Sequence, residues 1–208
     1  MKKIIIVDYG SGNVLSAQKS FVKIAKDNNI EVDVLISKNL NDVKDSTHVV
    51  LPGQGAFSTC MNGLKKTDGL IDELCEFALI KKKPFLGICV GMQVLLNKSF
   101  EFGEHNGLGW VEGTVNKLEA KILPHIGWNT IEVKKETPLF DSLGNSRDFY
   151  FVNSFAANVK NKNYVIAETE YEKTFCSALQ KDNIFGVQFH PEKSSKTGQS
   201  VIKNFIKI

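Results

Sequence analysis

Short aliphatic runs alternate with helical patterns through the first half of the chain, and this alternation limits the fold more than any other feature. The run at 4–7 is continuously aliphatic, as in a strand buried on both faces of a parallel sheet, and the segments 32–36, 48–51 and 84–88 are the next three strand patterns. Helical patterns cover 14–26, with Leu15 and Val22 among the residues expected to face the core, and 70–82, and another helix starts within 91–97. Repeated βα units predict an α/β fold with a mostly parallel central sheet covered by helices.

The second half of the chain contains strand patterns rather than alternating helices. They cover 110–118, 127–134, 149–153, 164–169, 174–180 and 184–189, and a final helical pattern covers about 197–206. We expect these segments to add antiparallel strands to the edge of the same sheet. No repeat or linker interrupts the sequence, which predicts a single domain over residues 1–208.

Composition excludes several classes of protein. Apolar residues make up 42% and charged residues 24% of the 208 residues, values typical of a globular chain. The net charge is +3 and Arg147 is the one arginine, which does not favour nucleic-acid binding. Four cysteines lack CxxC spacing, so we expect no metal site. The first apolar run stops at Asp8 and no run approaches a membrane span, which predicts a cytoplasmic protein without membrane contact.

The segment Gly87-Ile88-Cys89-Val90-Gly91 places a cysteine between a buried strand and a helix. Glycine on both sides relieves the steric crowding of a sharp turn, the arrangement known as a nucleophile elbow. The thiol would then stand at the carboxyl edge of the sheet and at a helix N-terminus, which favours a thiolate. The alternative is a buried structural cysteine with incidental glycines.

His190 follows the last strand pattern, and Glu192 lies two residues further on. A thiolate nucleophile needs a base, and the base needs an acceptor that orients it. Cys89, His190 and Glu192 therefore form a candidate triad, although His190 could merely end a strand. An oxyanion produced by attack on a carbonyl needs N–H donors, which Val90 and the turn at 52–55, including Gln54, could supply. An ordinary Pro-Gly turn is the alternative reading of 52–55.

These residues resemble the class I (triad) glutamine amidotransferases. GICVGMQ at 87–93 and QFHPE at 188–192 are similar to the nucleophile and His/Glu signatures of that family. Within it, the chain looks most like the glutaminase subunits of imidazole glycerol phosphate synthases. The further motifs are DYGSGNVLS at 8–16, LPGQGAF at 51–57, GLGW at 107–110, PHIGWN at 124–129, YFVNS at 150–154 and HPEKS at 190–194.

The resemblance implies a flavodoxin-like fold, no cofactor, and hydrolysis of the glutamine side-chain amide through a γ-glutamyl thioester on Cys89. It also implies that Gln93 and Glu101 hold the α-amino and α-carboxylate ends of glutamine. Five further residues are expected to line the same pocket: Gly53, Gly55, Asn153, Ser154 and Phe155. Two positions depart from the family pattern, since Asn153 stands where histidine is usual and Gln54 where valine is often found.

A partner is implied as well, because the glutaminase region leaves no room for a synthase. The resemblance names a (β/α)₈-barrel cyclase that receives the ammonia in histidine biosynthesis and forms a heterodimer with this chain. Candidates for the docking face are Asn13, Trp128, Asn129 and Lys193. A related glutaminase that feeds another synthase, for example in amidation of a surface sugar, is the main alternative. A cysteine sensor or hydrolase without a glutamine pocket, and a non-catalytic regulatory module, are two others.

Overall fold

The computed structural model describes residues 1–10, 13–144 and 146–208. The strands are β1 Lys2–Val7, β2 Val32–Ser37, β3 His48–Gly53, β4 Phe85–Cys89, β5 Leu96–Ser99, β6 His105–Asn106, β7 Val111–Lys117, β8 His125–Thr130, β9 Glu132–Val133, β10 Asp148–Asn153, β11 Phe155–Val159, β12 Val165–Tyr171, β13 Lys173–Lys181 and β14 Ile184–Val187. The helices are α1 Val14–Asp27, α2 Leu40–Asp45, α3 Phe57–Lys65, α4 Leu70–Cys75, α5 Val90–Gln93 and α6 Ser195–Lys207. Short 3₁₀ turns cover Pro138–Phe140, Lys162–Tyr164 and Pro191–Lys193.

The central sheet has a parallel half and a largely antiparallel half. Strands β2, β1, β3, β4 and β14 lie side by side and all run parallel. Beyond β14 the order continues with β13, β11, β7, β5 and β6, and each of these pairs is antiparallel except β7 with β5. This arrangement confirms the predicted α/β class and the predicted addition of antiparallel strands.

The parallel strands are covered on both faces. Ile4, Ile5, Ile6 and Val7 of β1 are all 0% exposed. Since successive residues of a strand point to opposite faces, cover is needed on both sides of the sheet. Helices α1 and α6 supply part of it, because Phe205 of α6 has edge-to-face contacts with Phe21 of α1 and with Phe185 of β14. The continuous aliphatic run at 4–7 is therefore buried on both faces of the sheet.

The prediction of a helix within 91–97 is wrong beyond the first helical turn. Helix α5 ends at Gln93, and the chain continues into β5, which pairs parallel with β7. Val94, Leu95 and Leu96 are all 0% exposed. Three consecutive buried residues do not suit a helix with one solvent face, but they suit a segment enclosed on all sides.

Three other elements differ from the sequence prediction. The segment predicted as a strand over 127–134 divides, because β8 pairs with β10 in a separate two-stranded sheet while β9 joins β12. Helix α4 is shorter than the predicted 70–82 and continues as a π-helical turn, Glu76–Ile80. Leu15 and Val22, which the helical pattern of α1 predicts on its buried face, are 60% and 47% exposed.

No helix within the described part of the chain is long and apolar enough to cross a membrane.

The glycine at the start of α5 allows the closest contact between that helix and β3. A Cβ atom built on Gly91 would lie 1.9 Å from the carbonyl oxygen of Leu51. We therefore expect Gly91→Ala to lower the free energy of unfolding by about 3 kcal/mol or more, measured by urea denaturation. Gly144→Asn is the control, because Gly144 has φ +72° and, its chain neighbours aside, no described residue has an atom within 4 Å of its Cβ position. Equal stability of the two variants would contradict this account.

Candidate active site

Cys89 lies at the junction of β4 and α5 in a strained backbone conformation. Its φ is 55° and its ψ is −112°, a combination that non-glycine residues rarely adopt. Three glycines surround the junction. Cβ atoms on Gly53 and Gly87 would lie 2.3 and 2.4 Å from backbone atoms of Gly91, and one on Gly91 would meet Leu51. These contacts supply the steric reason for the Gly-x-Cys-x-Gly pattern, and they hold the sulfur at the carboxyl edge of the sheet.

Strand β3 brings the second glycine-rich turn beside the cysteine. Gly53 is in register with Cys89, so Gln54 and Gly55 follow directly at the same edge. Gln54, Gly55 and Val90 all line the cavity that contains Cys89. Gly53 does not line it, because the position of its absent side chain is filled by Val90 and Gly91. Its part in the site is to allow this close packing.

His190 reaches the same edge from β14. This strand pairs parallel with β4, with Val187 in register with Ile88, and the chain then continues past the strand end. The backbone N–H of His190 donates to the carbonyl oxygen of Tyr150 at 2.9 Å. The Nδ1 atom of His190 lies 2.9 Å from Oε1 of Glu192, and the two side chains are only 4% and 6% exposed. The pair is therefore held within the protein, with the imidazole directed toward the cavity.

The charges around His190 favour its protonated form. Burial lowers the pKa of His190, but the contacts with Cys89 and with Glu192 outweigh that effect and raise the pKa from 6.5 to about 10. A buried carboxylate beside a buried imidazole is the arrangement that keeps a proton on the ring. At neutral pH the arrangement thus favours an imidazolium, a proton donor, next to the sulfur of Cys89.

A cavity of about 360 Å³ opens over Cys89. Its lining contains the sequence-predicted residues Gln54, Gly55, Cys89, Val90, Gln93, Glu101, Asn153, Ser154, Phe155, His190 and Lys193. Pro124 and Val152 also line it and were not predicted. Pro124 belongs to the PHIGWN segment, but nothing about a proline in a sequence indicates that it will face a pocket. The remaining docking candidates, Asn13, Trp128 and Asn129, are not part of this lining.

Polar groups of defined direction stand at one side of the cavity. The Nε2 atom of Gln93 donates to the carbonyl oxygen of Phe155 and to Oε1 of Gln188, both at 2.9 Å. Both N–H groups are then used, so the Oε1 atom of Gln93 is left as an acceptor for a ligand. Oε2 of Glu101 accepts from the backbone N–H of Phe57, the first residue of α3, at 2.7 Å. An amide oxygen and a carboxylate together suit a ligand that carries an ammonium group.

Asn153 also contributes an acceptor. Its Nδ2 donates to the Phe155 carbonyl at 3.1 Å, and its Oδ1 is buried with no hydrogen-bond partner among the described residues. A buried unpaired oxygen in a cavity lining is costly unless a ligand donates to it. The amide at this position can therefore bind a donor, although it cannot become cationic.

The four predicted docking residues have different surroundings. Trp128 is 55% exposed, with its ring edge toward Tyr150, so it is not packed into the core. Lys193 is exposed at the rim of the cavity. Asn129 donates to the Glu170 carbonyl, and Asn13 accepts from the backbone N–H of Ser16 as the cap of α1. Residues 11 and 12 of the turn before α1 lie outside the described residues.

Gln188 is a site residue that the sequence interpretation missed. It is 0% exposed, and its Nε2 lies 3.6 Å from the sulfur of Cys89. The signal was present, because Gln188 opens the QFHPE segment, but a glutamine carries no titratable group and was not assigned a role.

Comparison with known proteins gives a consistent family. The family model described as "Glutamine amidotransferase class-I" matches residues 5–208. The chain is 42% identical to imidazole glycerol phosphate synthase subunit HisH of Pelagibacter ubique over 209 residues, which cover 99% of both chains. It is also 42% identical to subunit HisH 1 of Campylobacter jejuni strain RM1221, over 99% of this chain and 100% of the relative. A solved glutamine amidotransferase structure aligns with a TM-score of 0.72 at 16% identity, over 98% of this chain and 99% of that one, which shows the shared fold.

The charge pair at His190 predicts a pH dependence of stability. Because the folded pKa is raised from 6.5 to about 10, the stabilisation is fully present below pH 6.5 and is lost as the pH rises through 10. In Glu192→Gln the folded pKa falls, so this loss moves to lower pH. Titration of the His190 ring by NMR and urea unfolding between pH 6 and about 10 measure both effects. Glu112→Gln, at an exposed ion pair with Lys160, is the control and leaves the His190 titration unchanged. An unchanged titration in Glu192→Gln would contradict the pairing.

Proposed function

This chain belongs to the glutamine amidotransferase class-I family, and we propose that it is the glutaminase subunit of an imidazole glycerol phosphate synthase. It would hydrolyse glutamine to glutamate and deliver the ammonia to a cyclase in histidine biosynthesis. The observation that carries the proposal is the cavity over Cys89, whose lining includes Gln93, Glu101 and the His190 that is paired with Glu192. Full-length relatives named HisH support the choice of pathway.

In the first step, the Cys89 thiolate attacks the side-chain carbonyl carbon of glutamine. The carbonyl electrons move onto oxygen, and the backbone N–H groups of Val90 and Gln54 donate hydrogen bonds to this oxyanion. Both residues line the cavity next to Cys89. A single donor of this kind is typically worth about 10²–10³ in rate.

In the second step, the C–N bond breaks and the oxyanion collapses to a γ-glutamyl thioester. The His190 imidazolium gives its proton to the departing nitrogen, which leaves as ammonia. The neutral imidazole then takes a proton from water, whose oxygen attacks the thioester, and the thiolate leaves as glutamate forms. Glu192 stabilises the imidazolium at both stages because its carboxylate lies 2.9 Å from Nδ1.

Substrate recognition uses other residues of the cavity lining. The free Oε1 of Gln93 and the carboxylate of Glu101 bind the α-ammonium group of glutamine, which is opposite in charge to Glu101. We assign Asn153 Oδ1, a buried oxygen unpaired within the described chain, to a donor on the substrate. Ser154 and Phe155 complete the wall of the pocket. The α-carboxylate is assigned to no side chain by this geometry.

The ammonia acceptor is a second protein, which we propose to be a (β/α)₈-barrel cyclase in a heterodimer with this chain. Ammonia released into water would be largely protonated and would lose its nucleophilicity, so direct transfer is needed. Trp128 and Lys193 are the best candidates for the docking face, since both are exposed and Lys193 also borders the cavity. Asn13 and Asn129 remain candidates, although their side chains also make the intrachain hydrogen bonds described above.

The nucleophile is tested by Cys89→Ala in the complex with the cyclase. We expect synthesis from glutamine to fall at least about a thousandfold, while synthesis from added ammonium salts stays intact. Cys75→Ala is the matched control, because Cys75 is a half-buried free thiol whose sulfur contacts the Trp110 indole. Glutamine-dependent synthesis that survives in Cys89→Ala would contradict the assignment of the nucleophile.

Dependence on the partner is a separate prediction. We propose that the partner orients the turn at Gln54, which supplies one oxyanion donor, and we therefore expect slow glutamine turnover by the isolated chain. Addition of the cyclase and its ligand should raise turnover by about 10², the effect of aligning one donor. Full activity of the isolated chain would contradict this coupling. Activation by a different synthase, such as one that amidates a surface sugar, would change the pathway but not the chemistry.

A further inference from the structure

A buried chain of side-chain amides connects the substrate side of the cavity to the sulfur of Cys89. Gln188 follows the last residue of β14 and is 0% exposed. Its Oε1 accepts from Nε2 of Gln93 at 2.9 Å, and its Nε2 lies 3.6 Å from the Cys89 sulfur. Gln93 in turn donates to the carbonyl oxygen of Phe155 at 2.9 Å. Four groups on four separate segments therefore meet in one line of hydrogen bonds.

The Phe155 carbonyl sets the donor and acceptor roles in this line of hydrogen bonds. The Phe155 carbonyl can only accept, so the NH₂ group of Gln93 must face it. The second N–H of the same group then points at Gln188, so the side-chain oxygen of Gln188 must accept this hydrogen bond. The NH₂ group of Gln188 is thereby turned toward the sulfur. A donor, and not an acceptor, is held against the nucleophile by groups that do not titrate.

We propose that Gln188 is a further catalytic residue, whose side-chain N–H holds the Cys89 thiolate in place and links it to the Gln93 end of the substrate pocket. The inference rests on the proposed glutaminase function and deepens it. The His190 proton moves to the substrate nitrogen and is replaced from water during the reaction, whereas the Gln188 N–H stays in place at every stage. The sulfur therefore has one hydrogen-bond donor that the proton transfers do not change.

The physical need for such a donor comes from burial. Cys89 is only 4% exposed, and a charge removed from water must be compensated by nearby dipoles or charges. A hydrogen bond to a charged group is stronger than one between neutral groups. In addition, a cation bound at Oε1 of Gln93 polarises its N–H groups, which strengthens the next bond in the chain. Binding of the substrate ammonium would thus stabilise the thiolate.

The direct test is alkylation of Cys89 in the full chain by iodoacetamide, followed across pH with the adduct mapped by mass spectrometry. Gln188→Met keeps the volume but removes the donor. We expect its alkylation rate at neutral pH to fall about tenfold, with the same plateau at high pH, so that the midpoint moves upward. Gln180→Met is the matched control, because Gln180 also makes two side-chain hydrogen bonds, with Thr137 and with the carbonyl of Asp182.

Turnover in the cyclase complex gives a second readout that a packing defect would not produce. Gln188→Met should lower kcat about tenfold with little change in KM, because the substrate contacts remain. In a double-mutant cycle with Gln93→Met, the two losses in kcat should be far from additive, since both substitutions interrupt the same line of hydrogen bonds. An unchanged alkylation midpoint in folded Gln188→Met, or additive losses, would overturn the proposal.

The wild-type chain supplies a measurement that does not depend on any Gln188 variant folding. One glutamine side-chain amide signal, assigned as the one most perturbed in Cys89→Ala, should change its NMR chemical shift with pH. The midpoint of that change should equal the midpoint of Cys89 alkylation. A Gln188 amide whose chemical shift stays constant while Cys89 ionises would overturn the proposal. Neither this titration nor alkylation requires glutamine hydrolysis, so failure of the glutaminase function and failure of this inference give different results.

Discussion

The parallel pairing of β4 with β3 on one side and β14 on the other is the constraint on which the rest of the site depends. It aligns Gly53 with Cys89 and Val187 with Ile88, so three strands end at one level. Parallel strands present their carboxyl ends at the same edge, where open α/β sheets bind ligands. The nucleophile, the glycine-rich turn and the histidine come from distant parts of the sequence, and only this register brings them together.

The close approach of α5 to the sheet has an electrostatic consequence as well as a steric one. With glycine at 53, 87 and 91, the helix starts directly against β3 and β4, and the sulfur of Cys89 is enclosed. Burial disfavours charge, so each charged form must have a partner within reach. The His190–Glu192 pair and the amide of Gln188 are those partners. The strained backbone at Cys89 directs the side chain into the cavity, where the proposed substrate binds.

The α/β class and the strand positions in the parallel half could be predicted from the sequence, because strands buried on both faces are continuous aliphatic runs. Other segments were predicted wrongly or not at all. The run Val94–Leu96 is apolar throughout, and the spacing of apolar residues alone cannot distinguish a buried strand from a buried helix. Helix α3 and strand β11 were not predicted at all. The separate pairing of β8 with β10 depends on which partner each strand finds, a long-range choice with no local pattern.

By itself, the sequence predicted the chemical groups of the proposed site: an elbow cysteine flanked by glycines, a histidine after a strand, and a glutamate two residues further on. It did so because short-range sterics and residue type are local properties. Only the tertiary structure decided which side chains share the cavity, and that Gly53 packs under it rather than lining it. It also decided the role of neutral groups such as Gln93 and Gln188. Their hydrogen-bond directions are set by the carbonyl of Phe155, a partner far away along the chain, and no local pattern encodes that contact.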